Sequence, residues 1–131
     1  MKIKIISATK ELYSSDQIKS VLLPGSLGQM QLLPGHANLL SKLEIGEVVV
    51  ETQKGTKENF VLNGGFVVNR EDNIVILADD AAKREDLVEK EIEESINQAK
   101  AKIDKDLPPS EIIQLEKQLR YERFKKDKLS K

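Results

Sequence analysis

Apolar and polar residues alternate with a period of two through most of the first eighty positions, in short runs stopped by turn residues. Lys2 to Ile6 reads K-I-K-I-I, Gln17 to Leu23 reads Q-I-K-S-V-L-L and stops at Pro24-Gly25, and Gln29 to Leu33 stops at Pro34-Gly35. Side chains along a strand point alternately to opposite faces, so runs of this kind predict short strands with one buried face. Glu47 to Thr52, Glu58 to Leu62, Gly65 to Asn69 and Asn73 to Leu77 continue the series and are rich in Val, Ile and Phe. Lys54-Gly55 and Asn63-Gly64 lie between successive runs, where tight hairpins want φ > 0, so each is read as a turn. His36 to Leu43 keeps no such rhythm and is read as irregular. Seven short strands at intervals of about ten residues predict an antiparallel β sandwich or barrel.

The rhythm changes at Leu77-Ala78-Asp79-Asp80, and no Gly follows Arg84. Asp86 with Glu89 three residues later resembles a capping box, and the clustered acids Glu85, Asp86 and Glu89 suit the positive end of a helix dipole. A helix is therefore expected from about residue 86. Val88, Ile92, Ile96, Ala99 and Ile103 form one apolar stripe at helical spacing, and Pro108-Pro109 is expected to end it. Ser110 is placed to cap a second helix carrying Ile112, Leu115 and Leu119 on one face. The expected class is thus α+β, with a β domain over residues 1–84 and a helical hairpin over 85–131. A handful of stripe residues at roughly 1.5 to 3 kcal/mol each offset little of the roughly 1 to 2 kcal/mol per residue needed to order the backbone. The hairpin is expected to be held loosely and to be able to leave the β domain.

Charge sharpens this division. The 131-residue chain carries a formal net charge of −1 from 21 basic and 22 acidic residues. From Met1 to Arg84 ten basic residues balance ten acidic ones; from Glu85 to Glu116 four face ten; from Lys117 to Lys131 seven face two. A neutral block, an acidic block and a basic tail stand behind the bland total, and such asymmetry marks a surface that meets a charged partner.

Candidate chemistry is scarce. There is no Cys, no Trp and one His, which removes disulfides, thiolate catalysis, Cys-based zinc sites and any Ser/His/Asp set. His36 beside Pro34-Gly35 reads as a turn or contact residue. Asp79 and Asp80 are neighbours on a strand end and so point apart, a poor acid/base pair. Gly25 to Gly28 reads as a turn between strands, and no Gly-rich loop runs from strand into helix. No apolar run is long enough for a signal peptide or a membrane span. The tail interleaves Tyr121 and Phe124 with Lys117, Arg120, Arg123, Lys125, Lys126 and Lys128. Nucleic acid, an acidic protein surface and a simple frayed helix end are all compatible with that pattern.

The stretch from Leu23 to Leu40, LPGSLGQMQLLPGHANLL, closely resembles the epsilon subunit of the F-type ATP synthase, which reads approximately LPG-x-x-GE-F/L-G-x-LPGHAPLL here. Leu43-Glu44-Ile45-Gly46, the VLNGGFV of Val61 to Val67 and the IVILA of Ile74 to Ala78 are similar to further motifs of that family in the same order. The resemblance extends over essentially the whole chain.

It implies a non-catalytic central-stalk subunit that couples proton flow to ATP synthesis. The sandwich would bind the gamma subunit and rest on the ring of c subunits, with Gln29, Met30, Gln31 and His36 as partner contacts. The hairpin would extend toward the alpha and beta subunits and restrain ATP hydrolysis, with Lys117, Arg120, Arg123, Lys125 and Lys126 as inhibitory contacts. No nucleic acid is implied, and the membrane is met only through the complex, at the cytoplasmic face of a bacterial plasma membrane or at a thylakoid if plastid-encoded. The absence of a transit peptide favours a bacterial or organelle-encoded origin over import.

Three departures from the family pattern stand out: Gln29 for a frequent Glu, Gln31 for a common Gly, and Asn38 for a common Pro. Some members bind ATP through an I/L-D-x-x-R-A motif at the first helix. Here its Asp and Arg positions hold Val88 and Glu91, so no cofactor and no tight ATP binding are expected. The competing reading is an unrelated adaptor whose β domain and basic hairpin bind acidic protein surfaces or nucleic acid; an enzyme fails for want of candidate residues.

Overall fold

The computed structural model describes residues 1–131 except Thr9, Lys105, Ser130 and Lys131. It divides into two compact units, Met1–Glu85 and Asp86–Lys131. In the first, the strands are β1 (Lys2–Ser7), β2 (Lys10–Ser15), β3 (Ile18–Gly25), β4 (Gly28–Leu32), β5 (Leu39–Thr52), β6 (Lys57–Arg70), β7 (Asn73–Ala78) and β8 (Ala81–Lys83). The sheet order is β2-β1-β7-β6-β5-β3-β4, with β8 also pairing β6. All pairs are antiparallel except β1 with β7, which is parallel.

The expected strands form, joined by an unexpected short β8 that pairs β6, and they differ from expectation at three further places. Lys10–Ser15 is a strand that its mixed K-E-L-Y-S-S composition did not announce; it is a sheet edge whose Leu12 and Tyr13 pack on the core. Residues 39–43, read as irregular, belong to β5 and pair with Gly65–Asn69. The third concerns Asn63-Gly64, which is no hairpin turn: β6 runs unbroken for 14 residues beside a 14-residue β5. The true hairpin turn of this pair is at Lys54-Gly55, where Gly55 has φ +88 and Gly55 N–H donates to Thr52 O at 2.9 Å.

What Gly64 and Gly65 do is bend the strand. Both have φ > 0 (+83 and +139), and a Cβ on Gly65 would fall on the Leu77 carbonyl oxygen. The phase of burial shifts here. Phe60 and Leu62 face the core before the bend, Val67 and Asn69 after it, while β5 changes from Leu43 to Val48 and Val50. Alongside, β7 gives way to β8 across Asp79-Asp80, and the bend is held by Asp79 N–H to Gly64 O (3.1 Å) and Asn63 N–H to Asp80 O (2.8 Å). One coiled sheet therefore closes over a single core of Ile3, Ile5, Ile18, Val21, Leu23, Leu32, Phe60, Ile74 and Ile76 with their neighbours.

A 3-10 turn at Arg84–Asp86 spans the boundary between the units, and the second unit holds α1 (Glu89–Lys102) and α2 (Pro109–Leu129). Asp86 is not the cap of α1: the N-cap is Val88, in extended conformation and with no side-chain hydrogen bond to the helix. The helix ends at Lys102, ahead of the prolines, because Ile103 is extended and Asp104 turns the chain, its Oδ1 accepting Asp106 N–H at 3.1 Å. Val88 and Ile103 thus cap the stripe from outside and stay exposed. Nor does Ser110 cap α2. Pro109 opens the helix, where its missing N–H costs nothing, and Pro108 O accepts Glu111 and Ile112 N–H at 3.0 and 3.2 Å. Ile92, Ile96, Ala99 and Leu119 form the hairpin core, with Leu87 and Leu115 against it, and Lys126 Nζ meets Glu93 Oε1 at 3.1 Å.

Candidate partner-binding surfaces

The outer face of the β5–β6–β7–β1 sheet is apolar between Lys42 on β5 and Lys4 on β1. Opposite the inward row Val67, Ile76 and Ile5 stands the row Lys42, Phe66, Leu77 and Ile6, and beside it Leu40, Val68 and Val75. Leu40 is 72% exposed, Phe66 50% and Leu77 47%. Large side chains gathered on one exposed face are costly in water and mark an interface. Sequence reading passed over this face. Its signal was available: F-V-V and I-V-I-L are apolar on both strand faces, where one half-buried face would alternate with polar residues.

The residues expected to meet partners near the family motif lie along edge strand β4 and the loop after it. Gln29 and Gln31 are exposed, whereas Met30, between them, points the other way, half-buried against the core beside Gly25. His36 is exposed in the loop 33–38, with its N–H donating to Leu33 O at 3.0 Å. Although every residue of that loop is exposed, it is tied down. Gly35 N–H donates to Asp72 Oδ1 (2.9 Å), Asn69 Nδ2 to the carbonyls of Ala37 (3.2 Å) and His36 (3.4 Å), and Glu71 N–H to Asn38 Oδ1 (2.9 Å). At the other end of β4 the Ser26-Leu27 turn leaves Leu27 fully exposed.

On α2 the five basic residues separate. Lys125 Nζ lies 3.0 Å from Glu122 Oε1 and 4.6 Å from the Tyr121 ring centroid, mostly covered. Lys126 pairs with Glu93. Lys117 is half-buried, and Arg120 and Arg123 are exposed, on the side of the helix that also carries the exposed Ile113. At the start of α1 stand the N-cap Val88 and the acidic Glu89 and Glu91. Among the described residues no group of three or more His, Cys, Asp or Glu is placed to hold a metal ion, and no helix is long and apolar enough to cross a membrane.

Residues 1–84 match the family described as ATP synthase, Delta/Epsilon chain, beta-sandwich domain. Among curated relatives, the ATP synthase epsilon chain of Campylobacter fetus subsp. fetus is 38% identical over 98 residues, 75% of each chain. That of Vesicomyosocius okutanii is 34% identical over 110 residues, 84% of this chain and 78% of the relative. That of Nitratiruptor sp. is 36% identical over 104 residues, 79% and 80%. In fold, the chain is similar to a chain of the Euglena gracilis mitochondrial ATP synthase, with a TM-score of 0.75 at 20% identity, covering 97% of this chain and 79% of that one. A chain of the Tetrahymena thermophila mitochondrial ATP synthase central stalk and c-ring gives 0.67 at 14% identity, covering 96% and 93%.

Proposed function

The chain belongs to the ATP synthase epsilon-chain family, and from that premise we propose how this non-catalytic subunit divides its work between its two units. The β unit seats the chain on the central stalk, coupling proton flow to ATP synthesis. Its outer apolar face, with Leu40, Phe66 and Leu77, takes the gamma subunit, because a lasting interface buries an apolar core of this kind. Exposed Gln29 and Gln31 and the His36 loop serve the polar side of the same seat toward the c-ring, while Met30 supports β4 from the core.

The α1–α2 hairpin restrains ATP hydrolysis by reaching the alpha and beta subunits. Arg120 and Arg123 make first contact, since they stand exposed as the hairpin is folded; Lys117, Lys125 and Lys126 join once it opens. The chain takes no cofactor and binds no nucleic acid. It meets the membrane only through the complex, as a peripheral subunit at the cytoplasmic face of a bacterial plasma membrane or at a thylakoid. The reading as an unrelated adaptor is set aside by family membership.

The observation that carries the seating is the exposed apolar face. Phe66→Glu and Leu77→Glu lie on that face away from the core, so the β unit should fold while co-purification with gamma is lost. Undiminished co-purification of the folded double variant would remove gamma from this face.

A further inference from the structure

The loop 33–38 joins β4 to β5 with no regular structure and six exposed residues in succession. Such a segment ordinarily samples many conformations, and ordering it on binding costs conformational entropy. Here three side chains remove that freedom beforehand. Asn69 reaches up from β6 to two loop carbonyls, Asp72 accepts the Gly35 N–H, and Asn38 returns a bond to the Glu71 N–H. The last two bonds are reciprocal, with backbone donors on each segment meeting side-chain oxygens on the other. The platform they use is itself unusual. Glu71 and Asp72, which turn β6 into β7, both have φ > 0 (+51 and +64), and Lys2 N–H donates to Asp72 O at 2.9 Å.

Fold stability is a poor reason for this arrangement. Asn69 is 1% exposed and sits at a core-facing position between Leu39 and Ile74 in the sheet, yet among the described residues its Oδ1 meets no hydrogen-bond donor. A buried amide with an unmet oxygen stabilises less than an apolar side chain of the same size. What it supplies is the Nδ2 donor to His36 and Ala37.

We propose that Asn69, Asp72 and Asn38 are positioning residues for partner binding: they hold Gly35, His36 and Ala37 in one backbone conformation, so that the loop meets its partner already ordered. The proposal rests on the reading of the His36 loop as a contact with the central stalk and c-ring. Asn38 is part of the device because Pro, which restrains its own φ, has no side-chain oxygen to return to Glu71.

The test titrates the full-length chain onto the synthase complex depleted of it, with thermal unfolding of each variant followed alongside. Asp72→Ala should weaken binding about tenfold, and Asp72→Asn, which keeps an oxygen for Gly35 N–H, should restore it. Asn69→Leu should weaken binding while leaving the unfolding temperature equal or higher, an outcome a purely structural residue would not give. In a double-mutant cycle with His36→Ala the Asp72→Ala effect should be less than additive, since both act through one loop. If His36→Ala weakens binding and Asp72→Ala and Asn69→Leu do not, or if the effects are additive, the positioning role is overturned. If none of the three weakens binding, the contact reading fails first and takes this proposal with it.

Discussion

Single residues decide where this chain bends. Gly65 combines φ +139 with a backbone neighbour so close that a Cβ would also lie 2.8 Å from Ala78 Cα. Neither the conformation nor the space admits a side chain, and rigid backbone rather than a flexible side chain is in the way. Gly65→Ala is expected to destabilise the β unit by about 2 to 4 kcal/mol, read as a lower urea midpoint of its circular-dichroism signal. By contrast Gly55, also at φ > 0 but with open space around it, should lose only about 1 kcal/mol on the same change. The motif LPGHA and the pair Gly64-Gly65 were legible as special in sequence. Their roles were not, because a glycine at φ > 0 serves a two-residue turn and a strand bend alike, and only the pairing partner separates the two.

Elements differ in how strongly they are specified. Strands with one inward face, such as Lys2–Ser7 and Asn73–Ala78, follow their alternation closely. Lys10–Ser15 escaped because an edge strand with one neighbour needs little apolar content. The helix ends moved for local reasons: an extended Ile103 and the Asp104 turn stop α1 before the prolines are reached. The hairpin core is small, with Ile92, Ile96, Ala99 and Leu119 at its centre, and the Lys126–Glu93 pair, half exposed on both sides, adds at most about 1 kcal/mol. Ile96→Ala should therefore cost about 2 to 4 kcal/mol locally and open the hairpin. Hydrogen exchange should then lose protection in α1 and α2 while the amides of β5 and β6 keep theirs.

At the scale of the molecule, charge and apolar surface are segregated. The residues up to Arg84 are electrically balanced and carry the exposed Leu40, Phe66 and Leu77, while the acidic and basic blocks both fall in the helical part. Seating and regulation should then be separable. A chain ending at Glu85 keeps the whole β core and is expected to retain gamma while ceasing to inhibit hydrolysis by the complex; inhibition that survives the truncation would return regulation to the β unit. Arg120→Glu with Arg123→Glu in the full chain should weaken inhibition, and the difference from the parent should shrink as salt rises, because exposed charges are screened within about 10 Å at 0.1 M. Calorimetric titration with ATP should give no micromolar binding, in keeping with Val88, Glu89 and Glu91 at the start of α1.

By itself the sequence determined the α+β class, the change of rhythm near residue 80 and the family, because periodicity and short motifs are local properties that survive without a third dimension. Tertiary structure alone decided that Gly64-Gly65 bends a continuous strand, that Phe66 and Leu77 share an uncovered face, and which tail cations are engaged. It also decided that Asn69 and Asp72 hold a loop more than 30 positions earlier in the chain. Each of these depends on which strand lies beside which, and register between distant segments is set by packing and hydrogen-bond closure.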